Sequence, residues 1–249
     1  KMQSYLSVGY YDEEGAVNSV SSYFTNALIG PDIAMSDIDR DGCIWIGYNG
    51  IILKMYPTSN GKLKATRING IIPHDAAIAF TAFLNKENEV WIATNHGLYR
   101  YNRNSNKVKH YVHSISNRSL SQDYLTGLAE TNDRQLLVAT LCGVNVYDPL
   151  TDDFDHIDCI SGSDNGKLNS NFVNCMLVDN DHIWFGTETG GINKLNLKRL
   201  SVKNYIHNKE NPSSLSQNPV NAVYEDIYNK VWVGSVEGGL NILSRGSDR

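Results

Sequence analysis

Asn49, Asn95, His96, Glu188, Thr189 and Glu237 are the residues whose types and setting could recognise a ligand. They stand just past short runs led by a tryptophan: Trp45-Ile-Gly-Tyr, Trp91-Ile-Ala-Thr, Trp184-Phe-Gly-Thr and Trp232-Val-Gly-Ser. Leu141 and Cys142 hold the same place after Leu137-Val-Ala-Thr. Amide, imidazole, carboxylate and hydroxyl groups together donate and accept hydrogen bonds, which is the chemistry a polar ligand such as a sugar requires. Turn residues also serve as plain solvated connections, and that reading stands beside the first.

Other chemistry finds less support. Asp37-Ile38-Asp39-Arg40-Asp41-Gly42 opens like a calcium loop, in which alternate carboxylates converge on one cation. The bidentate glutamate due at loop position 12 is Tyr48, so a polar hairpin turn is the better reading. The seven histidines contain no His-Glu-x-x-His. His110 and His113 are three apart on an expected strand and face opposite sides, so the histidines read as surface residues. Cys43, Cys142, Cys159 and Cys175 show no Cys-x-x-Cys spacing and are too dispersed for a disulfide framework. They read as structural thiols, with Cys43 and Cys175 inside strands acting as small hydrophobes. Nucleophile-elbow, P-loop and dinucleotide-binding glycine patterns are absent. Paired carboxylates need only converge in space, about 5–10 Å apart, so a glycosidase or lyase stays open. No catalytic residue, metal ligand or cofactor is assigned.

The candidate residues are placed by a repeat. Val220 to Leu243 reads as an alternating apolar run, a turn, a run ending Trp-Val-Gly-Ser, a Gly-Gly turn and a third alternating run. That pattern is three antiparallel strands joined by hairpins. It recurs with centres at 45, 91, 137, 184 and 232, at spacings of 46, 46, 47 and 48 residues. Strand-only repeats of roughly 40–50 residues define a β-propeller or a related array. Weaker runs at 62–69, 107–113 and 201–207 are expected to be outer, fourth strands.

The expectation is therefore an all-β chain, a single propeller domain over residues 1–249 with four-stranded antiparallel blades. Residues 3–11 read as a lone strand, and residues 1–11 could complete the last blade, because a closing ring must hide its two sheet edges. Five modules then make either a closed five-bladed ring or part of a larger one, seven-bladed for example. In such a ring the turns between second and third strands gather at one mouth of the central channel.

The repeated residues have structural work. Trp45, Trp91, Trp184 and Trp232 are expected to pack between blades, with Leu137 filling that slot in the third module. Gly50, Gly97, Gly143, Gly190 and Gly238 are expected to supply positive φ for the hairpin turns. Thr94, Thr140, Thr187 and Ser235 can bond the backbone of those turns.

The chain carries a formal charge of -5 and few clustered basic residues, which argues against a nucleic-acid partner. No apolar run approaches the roughly 18 residues needed to cross a bilayer, and Lys1-Met2-Gln3-Ser4 lacks a signal-peptide core.

The motif W-[IVF]-[GA]-[TS]-x-x-G-[GVL], with preceding strings such as Asn211-Pro212-Ser213-Ser214-Leu215-Ser216 and Ser119-Leu120-Ser121, resembles the two-component-regulator propeller repeats of bacterial hybrid sensor kinases. The resemblance spans about residues 29–243, is fullest in the fourth and fifth modules, and is looser in the first and third. It implies an extracytoplasmic, periplasmic sensor region of a hybrid two-component system, responding to a carbohydrate-derived cue and dimerising through the parent sensor. A propeller enzyme acting on polysaccharide is the second expectation, and a protein-interaction scaffold the third.

Overall fold

A computed structural model describes residues 9–11, 17–19, 35–38, 43–48, 51–58, 63–68, 70–72, 79–84, 89–157, 168–198 and 201–244. Every element among them is a β-strand. A hairpin pairs β1 (Gly9–Tyr11) with β2 (Val17–Ser19). The first four-stranded sheet holds β3 (Met35–Ile38), β4 (Ile44–Tyr48), β5 (Ile51–Pro57) and β6 (Leu63–Ile68). The second holds β7 (Ala79–Leu84), β8 (Glu89–Thr94), β9 (Gly97–Asn102) and β10 (Lys107–Tyr111). The third holds β11 (Leu125–Glu130), β12 (Leu136–Thr140), β13 (Gly143–Asp148) and β14 (Asp153–Ile157). The fourth holds β15 (Val173–Asp179), β16 (His182–Thr187), β17 (Ile192–Asn196) and β18 (Ser201–Tyr205). The fifth has three strands, β19 (Val220–Glu225), β20 (Lys230–Ser235) and β21 (Gly239–Ser244).

The strands of each four- or three-stranded sheet neighbour one another in chain order, so each sheet is the meander that the repeat implied. Two features lie outside that expectation. The polar stretch after Tyr11 contains a strand, β2, and the third module has an outer strand, β14, carrying charged residues that hide its alternation. Gly9–Tyr11 pairs with Val17–Ser19.

Two compact units divide the chain: Lys1–Ile92 with Tyr101–Val108, and Ala93–Arg100 with Lys109–Arg249. The second sheet has strands in both. In the first unit Trp45, Ile52 and Met55 are buried, and the Lys54 ammonium lies 5.4 Å from the centroid of the Trp45 ring.

In the second unit the second strands of the third and fourth sheets, β12 and β16, are nearly continuous in apolar residues. All five residues of β12 are buried, and five of the six in β16, as strands covered on both faces require. One face of the third sheet, with Ala129, Leu137, Ala139, Val144 and Val146, packs on Val173, Met176, Ile183, Phe185 and Leu195 of the fourth. The other face of the fourth sheet, with Cys175, Leu177, Trp184 and Ile192, packs on Val220, Val223, Val231 and Val233 of the fifth. Leu137 therefore does fill the tryptophan slot, and Trp184 is wholly buried between sheets. Burial pushes the Cys175 thiol up to about 12, consistent with a core thiol. Cys43 is buried and Cys142 exposed, both as free thiols, while Cys159 lies outside the described residues.

Candidate functional site

Among the described residues, the turns between second and third strands in the second to fifth modules are each held by bonds within the module. In β8, the hydroxyl of Thr94 donates to the Gly97 carbonyl at 2.7 Å and accepts from the His96 amide at 3.0 Å. Thr140 does the same with Gly143 and Cys142, and Thr187 with Gly191 and Gly190. Ser235 departs from the expected role, its hydroxyl accepting a 3.1 Å bond from the Asn241 amide group.

Positive φ falls on Gly97 and Gly143 as expected, but in the fourth and fifth modules on Gly191 and Gly239, not on Gly190 and Gly238. The reason is length: Thr187 closes onto a carbonyl four residues on, where Thr94 closes three residues on. Gly190 and Gly238 are needed for room instead. A Cβ at Gly190 would run into Asn169, and one at Gly238 would stand 2.5 Å from Ser216 Oγ. Gly50 lies outside the described residues, as do Asn49 and Asp39–Gly42 of the calcium-like run.

The loops entering the third, fourth and fifth sheets lock onto the third strands of those sheets. Asn145, Asn193 and Asn241 accept from the amides of Ser121, Asn169 and Ser216 at 2.7–2.9 Å. The imidazoles of His113 and His207 bond the carbonyls of Leu120 and Leu215 at 2.8 and 2.7 Å, and His156 bonds Ser119. These histidines tie loops together, a role more specific than the surface placement expected. The repeated Gly-[Val/Ile/Leu]-Asn at the start of the third strands was the signal for the asparagine set.

On this frame Asn95 is half-buried and His96 exposed in the second module; Glu188 and Thr189 are exposed in the fourth, and Glu237 in the fifth. Thr189 donates to Ser170 Oγ at 3.0 Å, the His96 carbonyl bonds the His110 ring at 2.7 Å, and Glu237 adopts φ 57°. Glu188 gains partners that sequence reasoning missed. The Asn174 amide group donates to Glu188 Oε2 at 2.8 Å, to Asn221 Oδ1 at 3.1 Å and to the Val220 carbonyl at 3.2 Å.

Asn174 occupies a register shift between Val173 and Cys175, and the same shift recurs at Thr126 and Asn221. Such bulges re-aim a side chain out of the ladder. Thr126 accordingly donates to the Val173 carbonyl of the next sheet at 2.5 Å, as Asn174 does to Val220. Glu188, Asn174 and Asn221 thus form one polar group, a carboxylate with two carboxamides, joined across the fourth and fifth sheets. Planar groups of this kind bond adjacent hydroxyls. The Val-Asn pairs at 173–174 and 220–221 were the legible hint.

A second cluster centres on Asp152, which takes bonds from the hydroxyls of Tyr111 and Tyr147 at 2.6 and 2.7 Å, from Lys109, and an ion pair with Arg100 at 3.4 Å. Burial would raise its carboxyl, but the bonds from Lys109, Tyr111 and Tyr147 and the Arg100 charge outweigh it and hold it at about 2. Burial first, then the bond to Asp152, pushes Tyr147 up to about 12 and Tyr111 higher. Beside it Arg118 pairs with Asp148, Asp153 and Asp155. Asp152 is saturated by these partners and ties β9 and β10 to the β13–β14 turn. No group of three or more residues suited to a metal occurs among the described residues.

All-β repeated sheets of this kind define the class as a β-propeller. The family model of the two-component regulator propeller matches residues 167–189 and 214–237. The match falls in the fourth and fifth modules, where the motif is fullest. The fold is similar to the extracellular domain of a hybrid two-component system from B. thetaiotaomicron, with TM-score 0.68 and 18% identity over 89% of this chain and 30% of that one. It is also similar to the extracellular domain of a one-component system from the same organism, with TM-score 0.56 and 18% identity over 95% of this chain and 38% of that one. Virginiamycin B lyase from Staphylococcus aureus resembles it with TM-score 0.61 and 14% identity, covering 95% of this chain and 72% of the lyase. The chain spans well under half the length of the two sensor ectodomains. No curated protein matches the sequence. No helix among the described residues is long and apolar enough to cross a membrane.

Proposed function

We propose that this chain is a non-enzymatic, ligand-binding part of the extracytoplasmic, periplasmic region of a hybrid two-component sensor, responding to a carbohydrate-derived cue. The match of the regulator-propeller family to the fourth and fifth modules carries this reading, and the likeness to two sensor ectodomains supports it. Ligand contact is assigned to the turns bearing Asn49, Asn95, His96, Glu188, Thr189 and Glu237, with Asn174 and Asn221 added to the Glu188 group. A carboxylate and two carboxamides suit the paired hydroxyls of a sugar ring. Dimerisation through the parent sensor would pass occupancy onward.

Calorimetric titration with an oligosaccharide panel, with product analysis of the same samples, tests the reading. Saturable binding without turnover, weakened about tenfold or more (about 1.4 kcal/mol) by Glu188→Ala, is expected. Binding indifferent to Glu188, Asn174 and His96 substitutions would remove the turn site. Turnover would favour the second reading, an enzyme acting on polysaccharide, for which the lyase likeness is the one specific observation.

A further inference from the structure

One position recurs directly before the first strand of the third, fourth and fifth sheets, where Tyr124, Phe172 and Pro219 stand. Its carbonyl accepts from the amide of the neighbouring turn, Leu141, Glu188 or Val236, at 3.4, 2.9 and 2.9 Å, which fixes the residue beside that turn. Tyr124 is 41% exposed and Phe172 49%. The Phe172 ring belongs to neither apolar cluster that flanks the fourth sheet. A lone exposed phenyl group needs no explanation. One fixed beside unspent polar atoms does, because an apolar wall with a few convergent polar groups is the build of a small-molecule site. Phe172 is two residues before Asn174 and is bonded through the backbone to Glu188. The Asn174 amide nitrogen is spent on Glu188 Oε2, Asn221 Oδ1 and the Val220 carbonyl. Glu188 Oε1, the Asn174 carbonyl oxygen and the Asn221 amide nitrogen keep no hydrogen bond among the described residues.

Charge narrows the occupant. The entry segments and turns of these three modules, residues 122–126, 141–142, 170–174, 188–190, 217–221 and 236–238, hold Asp123, Glu188 and Glu237 but no lysine or arginine. Asp123 is engaged by the His113 amide at 2.6 Å, whereas the two glutamates are exposed. A pyranose is amphipathic in the complementary way: its axial C–H bonds form an apolar face and its hydroxyls project from the rim. Polarised C–H bonds are drawn to the negative face of an aromatic ring. Resting on the reading that these turns hold a saccharide, we propose that its bound unit is an uncharged pyranose, laid with its C–H face on Phe172 and its hydroxyls on Glu188, Asn174 and Asn221. A uronate or sulfate group would set like charge against Glu188 and Glu237 with no cation in these segments to receive it.

Two oligosaccharide sets titrated into the whole chain test this: neutral ones built of glucose, mannose, galactose or xylose, and acidic ones bearing uronate or sulfate. Neutral members are expected to bind about tenfold or more tightly than acidic members of the same length. Phe172→Ala should weaken the neutral ligand about tenfold or more, since the ring surface it covers is lost. Phe172→Tyr should restore affinity to within about threefold, which a general loss of structure would not allow. Proton resonances of the stacked sugar face should also move upfield on binding to the wild-type chain and not to Phe172→Ala. Neutral ligands that need Glu188 but ignore Phe172→Ala would overturn the stacking and leave the saccharide reading standing. Preference for the acidic set would likewise overturn the proposal alone. Binding of neither set would remove both.

Discussion

Two junctions in the second unit hold neighbouring sheets together by different physics. Between the fourth and fifth sheets the contact is apolar and repeated: Trp184 and Ile192 against Val220, Val231 and Val233. Between β9–β10 and β13–β14 a polar hub adds to the packing, in which Asp152 gathers two phenols and two cations, with Tyr111, Tyr147 and Phe154 in edge-on contact around it. The first is non-directional and tolerates drift in residue type, as Leu137 for tryptophan demonstrates. The second is directional and belongs to one place in the chain. At the junctions between sheets what repeats is therefore burial, and what differs is the polar chemistry laid over it.

The contrast can be broken most severely at Trp184. Trp184→Ala should cost about 3–5 kcal/mol in urea unfolding, from lost transfer energy and the cavity left behind. Trp232→Ala should cost less than about 1 kcal/mol, as its face is largely open. Equal losses would mean that the fifth sheet is covered in solution. Gly190→Ala should cost about 1–3 kcal/mol, because Asn169 must give way to the new methyl group. Asp152→Ala should cost about 1–3 kcal/mol by leaving the Tyr111 and Tyr147 hydroxyls without their acceptor. The smallest effect separates the junctions by pH. Asp152 titrates at about 2 against an ordinary 3.8, so its contribution is complete above about 4 and fades as pH falls toward 2. Thermal melts over that range should show this loss in the wild-type chain, a smaller one in Asp152→Asn, and the wild-type slope in Trp232→Ala.

The legible part of the fold was its periodic part. Strand positions, Leu137 in the tryptophan slot and the threonine-bonded turns all follow from alternation and motif spacing, because each module must bury the same face. The glycine roles in the last two modules were misassigned, since one extra turn residue moves the left-handed position from Gly190 to Gly191 and from Gly238 to Gly239. Asn174 and Asn221 escaped notice because a bulge reverses the side-chain parity on which strand reading relies. The Asp152 hub escaped because Arg100, Lys109 and Tyr111 lie about 40 residues or more before Asp152, on a neighbouring sheet, and the arrangement does not recur among the described residues.

The sequence by itself determined the repeat, the all-β class and the residues that each module buries, since those depend on local alternation and on hairpin turns that glycine and hydroxyl side chains encode. Only the tertiary structure decided which polar groups meet: Glu188 with Asn174 and Asn221, Asp152 with Tyr111 and Tyr147. Such meetings depend on register between sheets, and hydrogen bonds hold over about 3 Å, a precision that no spacing along the chain can specify.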